Sequence, residues 1–155
     1  IVKANEDGWW VADIIHGRWD IKKTAKKIFD AVNHYQPVAV GIEKGALKNA
    51  VLPYLTDIMK SSQRFFRVEE LTHGNKKKTD RVVWGLQGRF EHGQITLNKG
   101  DWNATFLDEL FQFPNALVHD DLVDALAYID QLAKVSYYYD YEEDDFEILD
   151  PVAGY

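Results

Sequence analysis

The sequence predicts an α/β domain with a mixed sheet flanked by helices. Three observations carry that prediction. Short β-prone runs alternate with longer segments of helical periodicity. One run, VAVGIEKG, stays apolar up to Glu43, the pattern of a buried, parallel strand. The chain has 155 residues and is 46% hydrophobic and 14% aromatic, which suits one domain with a sizeable core.

The elements follow in order. Residues 1–4 read as the end of a strand, NEDG as a turn, and WWVADIIHGRW as the returning β-prone arm. Asp20 is placed to cap a helix whose apolar residues are Ile21, Ala25, Ile28, Phe29 and Val32. Pro37 follows its end, and the strand ending at Glu43 comes next. ALKNAVLPYLTDIMKS is a second helix, with Pro53 near a kink. RFFRVEEL is a strand, THGNKKKT a loop, DRVVWGLQGRFEHG a helix ending near Gly93, and QITLN a short strand. Asp101 is expected to cap a helix running through Phe111. HDDLVDALAYID is the last long helix. The stretch after it lacks periodicity, so the domain is expected to span residues 1–139, with 140–155 an acidic tail or linker. There is no internal repeat.

Charge and composition exclude several classes. There is no cysteine, hence no disulfide framework and no thiolate metal site. No apolar run reaches membrane-spanning length, and no signal-peptide pattern opens the chain. The net charge of −7 is uneven. Asp140, Glu142, Glu143, Asp144, Asp145, Glu147 and Asp150 lie in a stretch without Lys or Arg. Without them the acidic count falls from 25 to 18, level with the 18 Lys and Arg. An acidic chain is a poor general nucleic-acid binder, but local charge decides. Lys60, Arg64 and Arg67, then Lys76, Lys77, Lys78 and Arg81, make the middle basic.

Chemistry concentrates in three places. In HDDLVDALAYID, Asp121, Asp124 and Tyr128 form one helical stripe. The apolar stripe of Leu122, Ala125, Leu126, Ile129, Leu132 and Ala133 lies beside it, so the carboxylates sit at the margin of the buried face. Two like charges at i, i+3 repel, and a divalent cation relieves that. Oxygen ligands suit Mg²⁺ or Mn²⁺. The competing reading is that Asp120 or Asp121 caps the helix. His119 falls off the stripe, as a turn residue or a neighbour steadying the ligands. Glu43 ends a strand, where ligands of α/β sheets gather; the competing reading is an ion pair with Lys44 or another base. Lys78 and Arg81, at i, i+3 where a helix starts, form an anion site or a solvated charge run. Trp9, Trp10, Trp19, Trp84 and Trp102 are assigned to core and edge packing.

These features resemble the nuclease domain of a tailed-bacteriophage terminase large subunit, of the ribonuclease H-like fold. The matching pieces come in family order: EDGWWVADIIHGRWD, VAVGIEKGALKNAV, KKKTDRVVWGLQGRFEHGQITL, FLDELFQFPN and HDDLVDALAYI. They cover most of Glu6 to Ile129. The last piece is also similar to Holliday-junction resolvases of the same superfamily, from which the FP turn separates it.

The resemblance implies a central mixed sheet flanked by helices, and metal-dependent cleavage of double-stranded DNA during genome packaging in the cytoplasm of an infected bacterium. It implies two Mg²⁺ or Mn²⁺ ions held by Glu43, Asp121 and Asp124, with Asp120 and His119 beside them. It implies phosphate contacts from Lys76, Lys77, Lys78 and Arg81. The implied partners are double-stranded DNA, an ATPase domain, a small terminase subunit and a portal, with no membrane. The chain has no Walker-type phosphate loop, so ATPase function is expected elsewhere. The family pattern also places an Asp on a strand before the hairpin. IVKANEDG has no acid before Glu6, so that strand is expected just upstream of Ile1. The rival readings are a structure-selective resolvase-like nuclease and a catalytically inactive docking module.

Overall fold

The computed structural model describes residues 1–72, 77–115 and 117–133. The expected acidic tail, 140–155, and Lys76 lie outside the described residues.

Strands β1 (Val2–Asn5) and β2 (Gly8–Val11) form the expected antiparallel hairpin. The Asn5 side chain accepts the Gly8 N–H at 3.0 Å. Gly8 has φ 151°, and a Cβ there would overlap the Gln94 carbonyl, so a glycine is required where β2 starts against its neighbour. Beyond Val11 the β-prone arm stops being a strand and runs irregularly to Asp20.

Helix α1 (Ile21–Tyr35) opens as its sequence dictates: Asp20 accepts the Lys23 N–H at 2.7 Å. Strand β3 (Val40–Glu43), helix α2 (Ala46–Ser62, with Pro53 inside it) and strand β4 (Val68–Leu71) follow. β3 and β4 are parallel, as the apolar run predicted, with Glu43 opposite Leu71.

The helix expected over DRVVWGLQGRFEHG is three pieces: α3 (Lys78–Val82), a π-helical segment (Val83–Gln87) and α4 (Gly88–Glu91). It starts at Lys78, so the basic pair lies within a helix and not ahead of it. Strand β5 (Ile95–Leu97) pairs in parallel with β2. Helix α5 (Asn103–Gln112) lacks the expected Asp101 cap. Asn103 instead accepts the Gly100 N–H at 2.6 Å and donates to the Asn98 carbonyl at 3.0 Å, fixing the entry turn. The last helix, α6 (Asp121–Ala127), opens at the acids.

The sheet departs from expectation. The described strands form two sheets, β1–β2–β5 and β3–β4, because no described strand connects β1 to β3. The apolar core is divided likewise. Trp9, Val11, Leu86, Phe106, Val123 and Leu126 are among the buried residues of one half, and Ala25, Phe29, Ile42, Val51, Leu55 and Met59 form the other. The apolar stripe of α6 is only partly covered: Leu126 is buried, Leu122 and Ile129 are half-buried and Ala125 is exposed. Trp9 and Trp102 are core residues as expected, whereas Trp84 is 78% exposed.

Candidate functional site

The site is assembled at the carboxyl end of β3 by three elements. β3 delivers Glu43, α6 delivers the aspartates and Tyr128, and α3 delivers Lys78 and Arg81. Tyr128 is the meeting point. It is buried, its hydroxyl shares a hydrogen bond with Glu43, and Asp124 acts on it electrostatically. The Arg81 guanidinium stacks 4.5 Å from its ring centroid. Lys44 turns instead to Glu70, at 3.4 Å.

Asp124 and Arg81 are both 9% exposed. Arg81 donates to Asp124 Oδ1 through Nη2 at 2.5 Å and Nε at 3.2 Å. Lys78 stands 3.6 Å from Asp124 Oδ2 and donates to Asp120 at 2.5 Å. The expected repulsion within the aspartate cluster is thus relieved by two cations of the chain itself. Burial works to lower the Lys78 ammonium, but the Asp120 hydrogen bond and the attraction of Asp124, Asp120 and Asp121 carry it above its usual value.

The two aspartates of the stripe have different surroundings. Asp124 faces inward, whereas the Asp121 side chain is 80% exposed and only 4.0 Å from the equally exposed His119. Asp120 makes no side-chain cap. Its place is taken by Glu109 of α5, a buried acid whose Oε2 accepts the Leu122 N–H at 2.8 Å. Lys77 is exposed just ahead of α3, whereas Arg81 is turned into the protein against Asp124.

Sequence reading missed Glu109 and gave Tyr128 no role. A signal for Glu109 existed: it stands three residues after Phe106 on the buried stripe of α5, where an acid needs a partner. Glu109→Ala should lose about 1–2 kcal/mol by orphaning the Leu122 amide. Glu109→Gln, which keeps an acceptor, should recover most of it in urea denaturation.

Tyr128 titrates late. Burial pushes its phenol up to about 12, with Glu43 and Asp124 adding to the shift and Arg81 opposing it. Its folded value lies above the unfolded one. The stability it contributes is therefore complete below pH 10 and lost as pH rises from 10 through about 12. The ultraviolet phenolate titration of the parent minus that of Tyr128→Phe should show this late step.

Comparison with known proteins settles the family. Residues 1–131 match the family described as the terminase RNase H-like domain. The chain belongs to this family. No curated protein and no solved structure matches it. As a terminase RNase H-like domain it takes a nuclease-like role in phage packaging, with DNA and other terminase parts as its partners in general. No helix among the described residues is long and apolar enough to cross a membrane.

The terminase site can also be tested against the expected ions. Its donors are carboxylate oxygens, which fit hard divalent cations. Among the described residues, no three acids or histidines are gathered to hold an ion on their own. Glu43 and Asp124 converge on Tyr128, and both oxygens of Asp124 face cationic side chains.

Proposed function

We propose that this domain is a metal-dependent endonuclease that cuts double-stranded DNA during phage genome packaging, in the cytoplasm of the infected bacterium. It would act as the nuclease part of a terminase motor subunit, alongside an ATPase domain, a small terminase subunit and a portal. The observation that supports this best is the convergence of Glu43 and Asp124, from two separate elements, at Tyr128, with Lys78 and Arg81 beside them.

In this reading Glu43 and Asp124 hold Mg²⁺ or Mn²⁺. Asp121 and a carboxylate from upstream of Ile1 would complete the set for two ions. Bound ions of this kind activate water and stabilise a leaving oxygen at phosphorus. The chain's own side chains do the rest. Lys78 and Arg81 neutralise the aspartates before substrate arrives. A DNA phosphate competes for the same two cations, and each contact it wins loosens one on Asp124 or Asp120. Exposed Lys77, together with Lys76, adds charge for the duplex backbone, so binding falls steeply with salt. Tyr128 keeps Glu43 oriented as a neutral hydroxyl up to high pH.

The test is Mn²⁺-dependent nicking of supercoiled plasmid. It compares this chain, the chain with its upstream segment, and the latter with Asp124→Asn. The extended form should cleave and its Asp124→Asn variant should not. Absence of cleavage from every form would overturn the reading in favour of a docking module. A strong preference for four-way junctions over linear duplex would replace it with a resolvase-like activity.

A further inference from the structure

One side of helix α1 carries positive charge that the chain leaves almost unanswered. Lys22, Lys23, Lys26 and Lys27 are all exposed. At about 100° per residue they share one sector of about 140°. Ala25 and Phe29, on the other side, are buried in the core with Ile42 and Leu55. Arg18, also exposed, stands just ahead of the helix. Lys26 pairs with Asp30 at 2.6 Å. Among the described residues, Arg18, Lys22 and Lys23 make no ion pair. Asp20, at the N-cap, is turned to the Lys23 N–H.

This arrangement works against the helix. Lys22 and Lys26 are like charges at i, i+4, and so are Lys23 and Lys27. They crowd the first two turns, where the helix dipole already disfavours cations. No acid occupies the first turn to offset them. The positive surface also continues beyond α1. The Lys27 ammonium stands 5.5 Å over the Trp19 ring. Both line a hollow of about 530 Å³, to which the segments after β2 and β5 bring His16 and Lys99, with Asp101 as a single acid beside Lys99 in sequence. The lysine face belongs to a different half of the fold from the catalytic acids. α1 packs into one core cluster, whereas Val82 of α3 and Val123 of α6 belong to the other.

We propose that this face is a second contact for the phosphate backbone of duplex DNA, one that holds substrate and takes no part in the chemistry. Lys22 to Lys27 spans about 7.5 Å of helix axis, against a phosphate spacing of about 3.4 Å along one strand, so the face meets about two or three phosphates. Lysine ammonium groups are flexible point charges, which grip a backbone without reading its sequence. The inference rests on the terminase reading for DNA as the partner.

Because the lysines strain the helix, stability and binding should respond in opposite directions. Lys22→Glu with Lys23→Glu turns both repulsive pairs into attractive ones and gives Asp20 a capping-box partner. The melting temperature should rise by about 2–4 °C. Binding of a labelled duplex of about 20 base pairs, followed by anisotropy in EDTA, should weaken about tenfold or more at roughly 0.1 M salt, and the salt slope should fall by about two. Lys60→Glu with Arg64→Glu changes the net charge equally and should cost far less. In a form that nicks plasmid, KM should rise with kcat unchanged. Affinity and slope equal to the parent's would overturn the proposal, as would a loss matched by the Lys60 and Arg64 pair, a fall in melting temperature, or a parent that binds no duplex. So would a loss that disappears when residues 140–155 are removed, which would assign the face to that acidic stretch. Weakened binding with no cleavage by any form would leave this inference standing and reject the nuclease; cleavage with unaltered binding would do the reverse.

Discussion

Asp124→Ala is expected to destabilise the domain by about 3–5 kcal/mol, the scale set by leaving one member of a buried ion pair without its partner. Arg81 is buried, directs two donors at Asp124 Oδ1 and lies against the Tyr128 ring. Without the carboxylate its charge is held in place by packing and cannot reach water cheaply. Asp124→Asn keeps one carbonyl acceptor and should cost less. Replacing the pair together, Arg81→Met with Asp124→Leu, should be close to neutral, because it removes both desolvated charges. Urea denaturation of the four proteins measures this directly. A loss below about 1 kcal/mol for Asp124→Ala would mean that the pair behaves as a solvated surface bridge.

Glu43→Gln should leave stability within about 1 kcal/mol, because Glu43 is exposed at the end of β3 and glutamine keeps its shape. Plasmid nicking by the extended chain should nevertheless fall on the order of a hundredfold or more, the scale on which loss of one preorganised polar group at a reacting centre is felt. Under the proposed function the contrast with Asp124 is diagnostic, since Glu43 would carry charge for the reaction alone and Asp124 for the fold as well. Nicking at the parental rate would reduce Glu43 to a hydrogen-bond partner of Tyr128 and remove it from the site.

Much of this was legible locally. The Asp20 cap, the parallel β3 and the hairpin follow from neighbours a few residues apart. The position of Glu43 at a strand end and of the aspartates at a helix start followed from the same patterns. The expected Asp101 cap is absent; the turn into α5 is fixed instead by Asn103, which bonds back to Gly100 and Asn98. Continuous helix over 80–93 failed because the apolar period alone does not distinguish α from π winding.

The sequence by itself determined most element types, the family and which short segments concentrate charged side chains, because those depend on periodicity and on residue types at fixed spacing. Only the tertiary structure decided how the charges are used. Arg81 and Asp124 are 43 residues apart, and Lys78 and Asp120 are 42 apart; they meet because α3 packs on α6. Two aspartates on one helical stripe look alike in sequence, but the seating of α6 buries Asp124 and leaves Asp121 in water. The separation of the sheets is of the same kind. Backbone pairing between β1 and β3 depends on what lies between them, and no local pattern within either strand records it.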